Sequence, residues 1–187
     1  MDTASPQFRL ARRADALRIA RLHAESWRRH YRGSYSDAFL DGDVEADRSD
    51  EWERRLRQPD RRRAATIVAE QDGSLLGFVH VIFDDDPTWG ALVDNIHVAV
   101  ARQRSGLGTR LMEAAADAVI ERSANSGIYL WVLEQNTPAQ AFYEARGGRC
   151  VERAPAVPPG GVAPRLAGAP LKLRYVWRRA EALKRSR

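Results

Sequence analysis

The feature that most constrains the fold is a predicted strand that runs through two glycines directly into a predicted helix. Residues 91–100 are rich in Leu, Val and Ile, which indicates a strand, and residues 107–122 carry apolar side chains at three- and four-residue spacing. Gly106 and Gly108 lie where the two segments meet. A helix that begins at such a turn offers unpaired backbone N–H groups and the positive end of its dipole. The pattern therefore predicts a phosphate-binding turn.

Two common phosphate motifs do not fit this turn. A P-loop needs Lys followed by Ser or Thr after its last glycine, whereas Thr109 and Arg110 follow Gly108. A dinucleotide-binding fingerprint needs a third glycine at position 111, where the chain has Leu111. The turn therefore belongs to neither of these nucleotide-binding classes.

Hydrophobic periodicity along the rest of the chain predicts a mixed α/β domain. Helices are expected at 14–30, 45–57, 107–122 and 137–145, and strands at 8–10, 66–70, 75–83, 91–100, 128–133, 147–151 and 171–177, with a turn at 84–87. The order of these elements predicts a central, mixed and mostly antiparallel sheet of about seven strands, flanked by about four helices.

Composition indicates one domain and excludes several classes of protein. The 187 residues are 44% hydrophobic, enough for one core, with a Pro-, Gly- and Ala-rich loop at 154–170 and a short basic tail at 180–187. No apolar run approaches the roughly 20 residues of a membrane span, and the first residues lack the pattern of a secretory signal.

Cys150 is the only cysteine, so no internal disulfide can form. We expect a buried thiol and a cytoplasmic location.

The basic charge of the chain does not indicate a nucleic-acid partner. The chain has 30 Lys and Arg against 25 Asp and Glu, and Lys172 and Lys184 are the only lysines, which leaves 28 arginines. These arginines are spread along the sequence, and the densest group, at 61–63, falls in a predicted loop. A nucleic-acid surface would need basic residues gathered on one face.

The residues of the glycine turn resemble a known cofactor motif. They are Gln103, Arg104, Ser105, Gly106, Leu107 and Gly108, and they fit the pattern Q/R-x-x-G-x-G. The pattern is similar to the acetyl-CoA-binding motif of the GCN5-related N-acetyltransferase (GNAT) superfamily, in which the loop also follows the fourth strand and opens the third helix. A second segment resembles the family pattern N-x-x-A-x-x-x-Y-x-x-x-G, with Asn136, Ala139, Tyr143 and Gly147 in the matching places. Because the order of elements also matches, the resemblance implies one GNAT-like domain over residues 1–187.

The resemblance implies how acetyl-CoA binds as a co-substrate. Backbone groups of Val98 and Val100 would bind the pantetheine arm, although the family usually has Pro where Val100 stands. Backbone N–H groups from Arg104 through Thr109 would bind the pyrophosphate. Asn136 would either hydrogen-bond the cofactor arm or only cap its helix. Further candidates for contact with the phosphates are Arg102, Arg104 and Arg110.

The same resemblance implies that the acetyl group passes directly to an amine, without a covalent enzyme intermediate. Tyr143 is the candidate general acid for the departing thiolate, and the alternative is a core aromatic side chain. Asp94 is the first candidate for the base, because it lies an even number of residues before Val98 and should share its face of the strand. Glu134 is the second candidate, and ordered water is the third. His97 should point to the opposite face and is expected to be structural.

Several properties stay open at this point. A non-catalytic acyl-CoA-binding or regulatory module of the same fold is the alternative to an enzyme, and a nucleic-acid-binding domain is a weaker one. His23 and His30 lack a third ligand at metal-site spacing, so no metal is expected. Residues 23–33 resemble a common bacterial subgroup whose acceptors are mostly undefined. The acceptor could therefore be a small amine, an antibiotic, a peptide N-terminus or a protein lysine. Many members of the GNAT superfamily are dimers, so a homodimer is also open.

Overall fold

The computed structural model describes residues 5–184. Its helices are α1 (Ala16–His30), α2 (Asp37–Asp41), α3 (Val44–Arg57), α4 (Leu107–Arg122) and α5 (Thr137–Ala145). Its strands are β1 (Gln7–Leu10), β2 (Ala64–Gln71), β3 (Ser74–Asp86), β4 (Gly90–Val98), β5 (Ile128–Leu133), β6 (Arg149–Pro155) and β7 (Leu171–Trp177). Short 3₁₀ turns occupy Arg13–Asp15, Val100–Arg102, Pro159–Gly161, Ala163–Arg165 and Ala180–Lys184.

The seven strands form one sheet in the order β1-β2-β3-β4-β5-β7-β6. All neighbouring pairs are antiparallel except β4 and β5, which run parallel and pair only at Ala91 with Ile128 and Leu92 with Tyr129. Beyond these pairs the two strands separate, which opens the middle of the sheet. The predicted mixed, mostly antiparallel fold is confirmed; the additional short helix α2 was not predicted.

Helices cover both faces of the sheet because the central strands alternate between two apolar layers. On the face that we call the α4 face, Ile67 and Val79 pack in the cluster that contains the buried side of α4. On the opposite face, the α1 face, Val68 and Phe78 pack with α1 and with Trp52 of α3. The site is built where the separated strands connect these two layers.

Several predicted boundaries are wrong for local reasons. Residues 84–86 belong to β3, and the turn begins at Asp86, whose carboxylate accepts hydrogen bonds from the N–H groups of Thr88 and Trp89. Strand β4 ends at Val98, so Val100 lies in a 3₁₀ turn instead of a strand. Strand β6 covers 149–155 instead of 147–151, because positions 147 and 148 complete the end of α5.

The predicted loop is an ordered segment that crosses to the other side of the molecule. We call residues 156–170 the strap. Its backbone bonds to the turn between α1 and α2, because Ser36 N–H donates to Arg165 O and Ala167 N–H donates to Ser34 O. Arg165 also forms an ion pair of 2.5 Å with Asp47. The strap therefore connects β6 and β7 to the layer formed by α1 and α3.

The end of the chain packs on α4 instead of forming a free tail as far as the structure describes it. Ala180 and Leu183 are buried in the α4 cluster, and Lys184 pairs with Asp117. The last three positions of the predicted tail, 185–187, lie outside the described residues. The expectation of a buried thiol is wrong, because Cys150 lies exposed on β6 at the edge of the sheet. Among the helices of residues 5–184, none is both long enough and apolar enough to span a bilayer.

Candidate active site

A cavity of about 1090 Å³ lies where β4 and β5 separate. On the α4 face it is lined by the glycine turn, which we define as residues 103–109, and by one side of α5. On the α1 face it continues between α1, α3, β5 and the strap. We call this second part, bounded by Tyr31, Arg48, Asp94, Trp131 and the strap, the α1-side chamber. One continuous space therefore connects the two layers through the sheet.

The backbone of the glycine turn is arranged to bind an anion. Gly106 adopts a left-handed conformation with φ of 81° as the N-cap of α4, and Arg104 does so with φ of 60°. The Ser105 hydroxyl donates to Arg102 O at 2.6 Å and fixes the turn. Within the described chain, the backbone N–H groups of residues 104–109 donate no hydrogen bond. Six free amides at a helix N-terminus form a concave site for a phosphate or diphosphate.

The structure brings most of the predicted cofactor residues to the cavity. Those that line it are Val98, Gln103, Arg104, Gly106, Gly108, Thr109 and Asn136, together with Arg102. Leu107 is instead buried in the core, and neither the Ser105 side chain nor Val100 reaches the cavity. Arg110 also turns away, because its guanidinium stacks over the Phe8 ring at 4.5 Å.

Helix α5 and its cap bring two predicted residues, Asn136 and Tyr143, to the lining of the cavity. Asn136 is the N-cap of α5, where its Oδ1 accepts a hydrogen bond from Ala139 N–H at 3.3 Å. Capping of the helix was one of the two expected roles of Asn136, and the structure shows it. Because the cap uses only Oδ1, the Asn136 side-chain NH₂ stays available to a ligand in the cavity.

Tyr143 is a buried phenol with a free hydroxyl. Its ring packs edge-on against Phe142 and Trp177, and the residue lines the cavity. The hydroxyl makes no hydrogen bond to any described residue. Burial raises the pKa of Tyr143 well above its ordinary value, so the phenol keeps its proton at neutral pH. A protonated, unengaged O–H is what a proton donor requires.

Asp94 occupies a β-bulge that reverses the predicted alternation. Val93 pairs with Val81 and Asn95 pairs with His80, so Asp94 is an extra residue on β4. It therefore turns to the α1 face, where its Oδ2 accepts a hydrogen bond from Arg55 Nη1 at 2.7 Å.

The bulge decides two of the predicted orientations. Val98 packs in the α4 cluster, so the expectation that it shares a face with Asp94 is wrong. His97 lies on the α1 face, as Asp94 does, so the two residues are not opposed either. Asp94 nevertheless lines the cavity, at the edge of the α1-side chamber.

Comparison with known proteins gives the family. The family model described as "Acetyltransferase (GNAT) family" matches residues 24–148, which include the glycine turn and α5. This chain belongs to the GNAT acetyltransferase family. It is 27% identical over 139 residues to the uncharacterized N-acetyltransferase YuaI of Bacillus subtilis, which covers 73% of this chain and 76% of YuaI.

Solved structures show the same fold. The PaiA N-acetyltransferase of Thermoplasma acidophilum, in complex with coenzyme A, superposes with a TM-score of 0.73 at 15% identity, over 93% of this chain and all of that one. The YncA protein of Salmonella typhimurium, solved with its cofactor acetyl-CoA, gives 0.65 at 18% identity, over 93% of this chain and 94% of its own. At these identities the two structures establish the GNAT fold of this chain.

Glu134 does not line the cavity. It follows β5 on the surface, where both carboxylate oxygens accept hydrogen bonds from Arg153 at 2.7 and 2.8 Å. Arg153 holds the pKa of Glu134 below its ordinary value. Because it does not line the cavity, the structure gives no support to its prediction as a second base.

Sequence reasoning missed the role of His97 as a wall of the α1-side chamber. Its Nδ1 lies 2.8 Å from the Ser26 hydroxyl, and its ring lies 4.4 Å from that of His23. Burial lowers the pKa of His97 to about 3, so the imidazole is neutral at physiological pH. The sequence alone could not predict that His97 faces the chamber, because the bulge at Asp94 changes the face of the strand on which His97 lies.

An aromatic cluster on α1 and the following turn forms another wall of this chamber. Tyr31 stacks on Trp27 with a centroid distance of 5.5 Å, and Tyr35 packs edge-on to both rings. Burial and the nearby Asp94 carboxylate raise the pKa of Tyr31 to about 12. The spacing of four residues between these aromatics indicated one helix face, but it did not indicate a cavity wall.

Across residues 5–184, no three His, Cys, Asp or Glu side chains are grouped closely enough to bind a metal ion.

Proposed function

We propose that this protein transfers an acetyl group from acetyl-CoA to the amine nitrogen of an acceptor that binds in the α1-side chamber. The observation that carries this proposal is the single cavity that connects six free backbone amides, the Tyr143 hydroxyl and the α1-side chamber. Membership of the GNAT family supports it, and so do the fold neighbours solved with coenzyme A and acetyl-CoA.

The α4 side of the cavity fits the cofactor in shape and charge. The diphosphate of acetyl-CoA matches the free amides of residues 104–109, with Arg102 and Arg104 beside them. Gly108 faces Phe142, and a Cβ at this position would already lie 3.5 Å from the Phe142 ring. The narrow space there suits an extended pantetheine arm that passes between β4 and α5. Val98 and Asn136 then provide polar groups along the arm, as the family pattern implies.

The residues of the site supply the proton transfers of a direct acyl transfer. Acetyl-CoA provides the thioester, and an uncharged amine attacks its carbonyl carbon. As the new C–N bond forms and the C–S bond breaks, Tyr143 donates its proton to the departing sulfur. The amine loses one proton, which Asp94 accepts directly or through water. The Asp94 carboxylate accepts bonds from Arg55 and Asn95 on Oδ2, which leaves Oδ1 available for this step.

Two measurements test the proposal together. Isothermal titration calorimetry is expected to show coenzyme A binding with a stoichiometry of one. A thiol-release assay with acetyl-CoA and a panel of amines is expected to show acceptor-dependent release of coenzyme A. Binding without release from any amine would support the alternative, a non-catalytic acyl-CoA-binding module. Absence of binding would contradict both functions.

A further inference from the structure

Most of the arginines that line the α1-side chamber form ion pairs within the protein. The paired cations are Arg48, Arg54 and Arg55, and their carboxylate partners are Asp47, Glu51 and Asp94. Arg29 lines the same cavity and has no ion pair with any residue of 5–184, but it is exposed to water. Among the described residues, each cation that lines this chamber is therefore paired with a carboxylate or exposed to water, with one exception.

The exception is Lys172, which projects from β7 into the α1-side chamber. It lies on the same face of the sheet as Trp131, and its Nζ is 4.2 Å from the centre of the Trp131 ring. The side chain is half-buried and, among residues 5–184, forms neither a hydrogen bond nor an ion pair. The carboxylate on the neighbouring strand, Glu152, pairs instead with Arg174 at 3.0 Å.

Burial without an anion is unfavourable for an ammonium group. Burial and the nearby Arg174 lower the pKa of Lys172, and the Glu152 carboxylate, which pairs with Arg174, offsets only part of this effect. The Trp131 ring face offsets only part of this cost, because a ring quadrupole is a weaker partner than an anion. An anionic group of a ligand placed beside Nζ would complete the set of partners.

We propose that the acceptor is a small amine that also carries an anionic group, a carboxylate or a phosphate, which Lys172 binds beside the Trp131 ring. This inference rests on the proposed function and specifies its acceptor. The two charged ends of such a molecule match the chamber, with Asp94 on β4 near the amine and Lys172 on β7 near the anion. The strap crosses one side of the chamber between the α1–α2 turn and the strand ends, where Val157 and Pro159 line it. The cavity has about 1090 Å³ for the cofactor arm and the acceptor together, which suits a small acceptor.

A kinetic experiment with matched pairs of amines tests this acceptor class. The pairs are glycine with glycinamide, L-phenylalanine with its amide, and O-phosphoethanolamine with ethanolamine. For at least one pair, replacing Lys172 by Met is expected to lower the preference for the anionic member in kcat/KM by about tenfold, the size of one charge-assisted contact. Because each pair is measured in both proteins, differences in amine pKa cancel. Lys184→Met, which removes the other lysine, is the matched control and should leave the preference unchanged.

A binding experiment keeps the test independent of turnover. Because the chain has only two lysines, reductive ¹³C-dimethylation gives few methyl signals, and Lys184→Arg assigns them. With coenzyme A bound, an anionic member is expected to shift the Lys172 signal while its neutral partner does not. If coenzyme A binds but none of the three anions shifts this signal, or if Lys172→Met leaves the preference unchanged, the inference is wrong and the proposed function stands. Loss of coenzyme A binding, or no thiol release from any amine, would contradict the proposed function itself.

Discussion

The two ends of the cavity are built in different ways. The glycine turn consists of seven consecutive residues, and its binding groups are backbone amides that the conformation of Gly106 and Arg104 leaves free. The α1-side chamber is assembled from side chains of α1, α3, β4, β5, β7 and the strap, which lie far apart in the sequence. Local residues therefore determine one end, while tertiary packing determines the other.

This difference predicts different sensitivities to substitution. A backbone-built site is damaged where a side chain fills the space or strains the backbone, and it tolerates most other changes. A chamber built from long charged side chains is damaged when one ion pair is lost, because the neighbours then move or stay unpaired. Substitutions on each side should therefore alter different measured constants.

The largest effect is expected from Gly108→Leu in the glycine turn. A Cβ here would lie 3.5 Å from the Phe142 ring, so the rest of a leucine side chain would occupy the space assigned to the cofactor. We expect affinity for coenzyme A, measured by calorimetry, to fall by at least about 100-fold. The leucine side chain would overlap the cofactor, and the packed residues around it leave no room for either to move away.

Gly73→Leu provides the matched control for this substitution. Gly73 has φ of 74° in the β2–β3 turn and lies outside the cavity. It should lose stability by about 1–2 kcal/mol from backbone strain but keep its affinity for coenzyme A. Equal affinities of Gly108→Leu and the parent protein would show that the cofactor binds elsewhere.

The next largest effect is expected from Tyr143→Phe. The phenol hydroxyl makes no hydrogen bond within the described residues, so its removal should leave the fold and the affinity for coenzyme A unchanged. If Tyr143 protonates the departing sulfur, kcat in the thiol-release assay should fall by about 100-fold. Tyr175→Phe is the control, because this buried hydroxyl bonds to Glu144 outside the cavity. Equal losses in the two variants would assign Tyr143 a packing role.

Local sequence signals account for the parts of the structure that were predicted well. Helix α4, strand β5, helix α5 and strand β7 begin and end where the sequence predicts, because periodicity and helix ends are local properties. The glycine turn was predicted for the same reason, down to the free amides. The Asn136 cap of α5 was predictable in the same way, since Asn is a good N-cap and the helix follows it directly.

The errors concern properties that depend on neighbouring strands and distant segments. The bulge at Asp94 exists only in the register between β3 and β4, so simple alternation assigned the wrong face to Asp94 and its neighbours. Glu134 lies outside the cavity, where it pairs with Arg153, which comes 19 residues later on β6. The strap could be predicted as a loop, but its attachment to the α1–α2 turn depends on contacts over more than 100 residues. The residues that line the chamber could therefore not be predicted from local sequence patterns.

A smaller effect, confined to the chamber, is expected from Arg165→Met. Arg165 holds the strap through Asp47 and through its position 4.6 Å from the centre of the Phe39 ring. Without it the strap should open more often, so KM for the acceptor should rise about tenfold while affinity for coenzyme A stays constant. Hydrogen exchange of 156–170 should also become faster. Arg153→Met, which breaks a surface pair outside the cavity, is the control, and a matching rise in its KM would contradict this role of the strap.

The last effect is on stability and not on a binding or kinetic constant, and it concerns the start of α1, whose other end forms the chamber wall. The buried Asp15 carboxylate accepts hydrogen bonds from Arg9 at 2.7 and 3.0 Å, and these bonds hold the pKa of Asp15 below its ordinary value.

The sign of the pH dependence follows from this lowered pKa. A carboxyl group with a lowered pKa in the folded state stabilises the protein at neutral pH, and the contribution disappears as the pH falls through the lowered value. We expect Asp15→Asn to reduce the free energy of unfolding by about 1.5–3 kcal/mol at pH 7, the range for a hydrogen bond to a charged group. Urea unfolding at pH 7 and near pH 3 measures the difference between the two proteins, which should narrow in acid. A difference that stays constant would mean that Asp15 acts through its shape and not its charge.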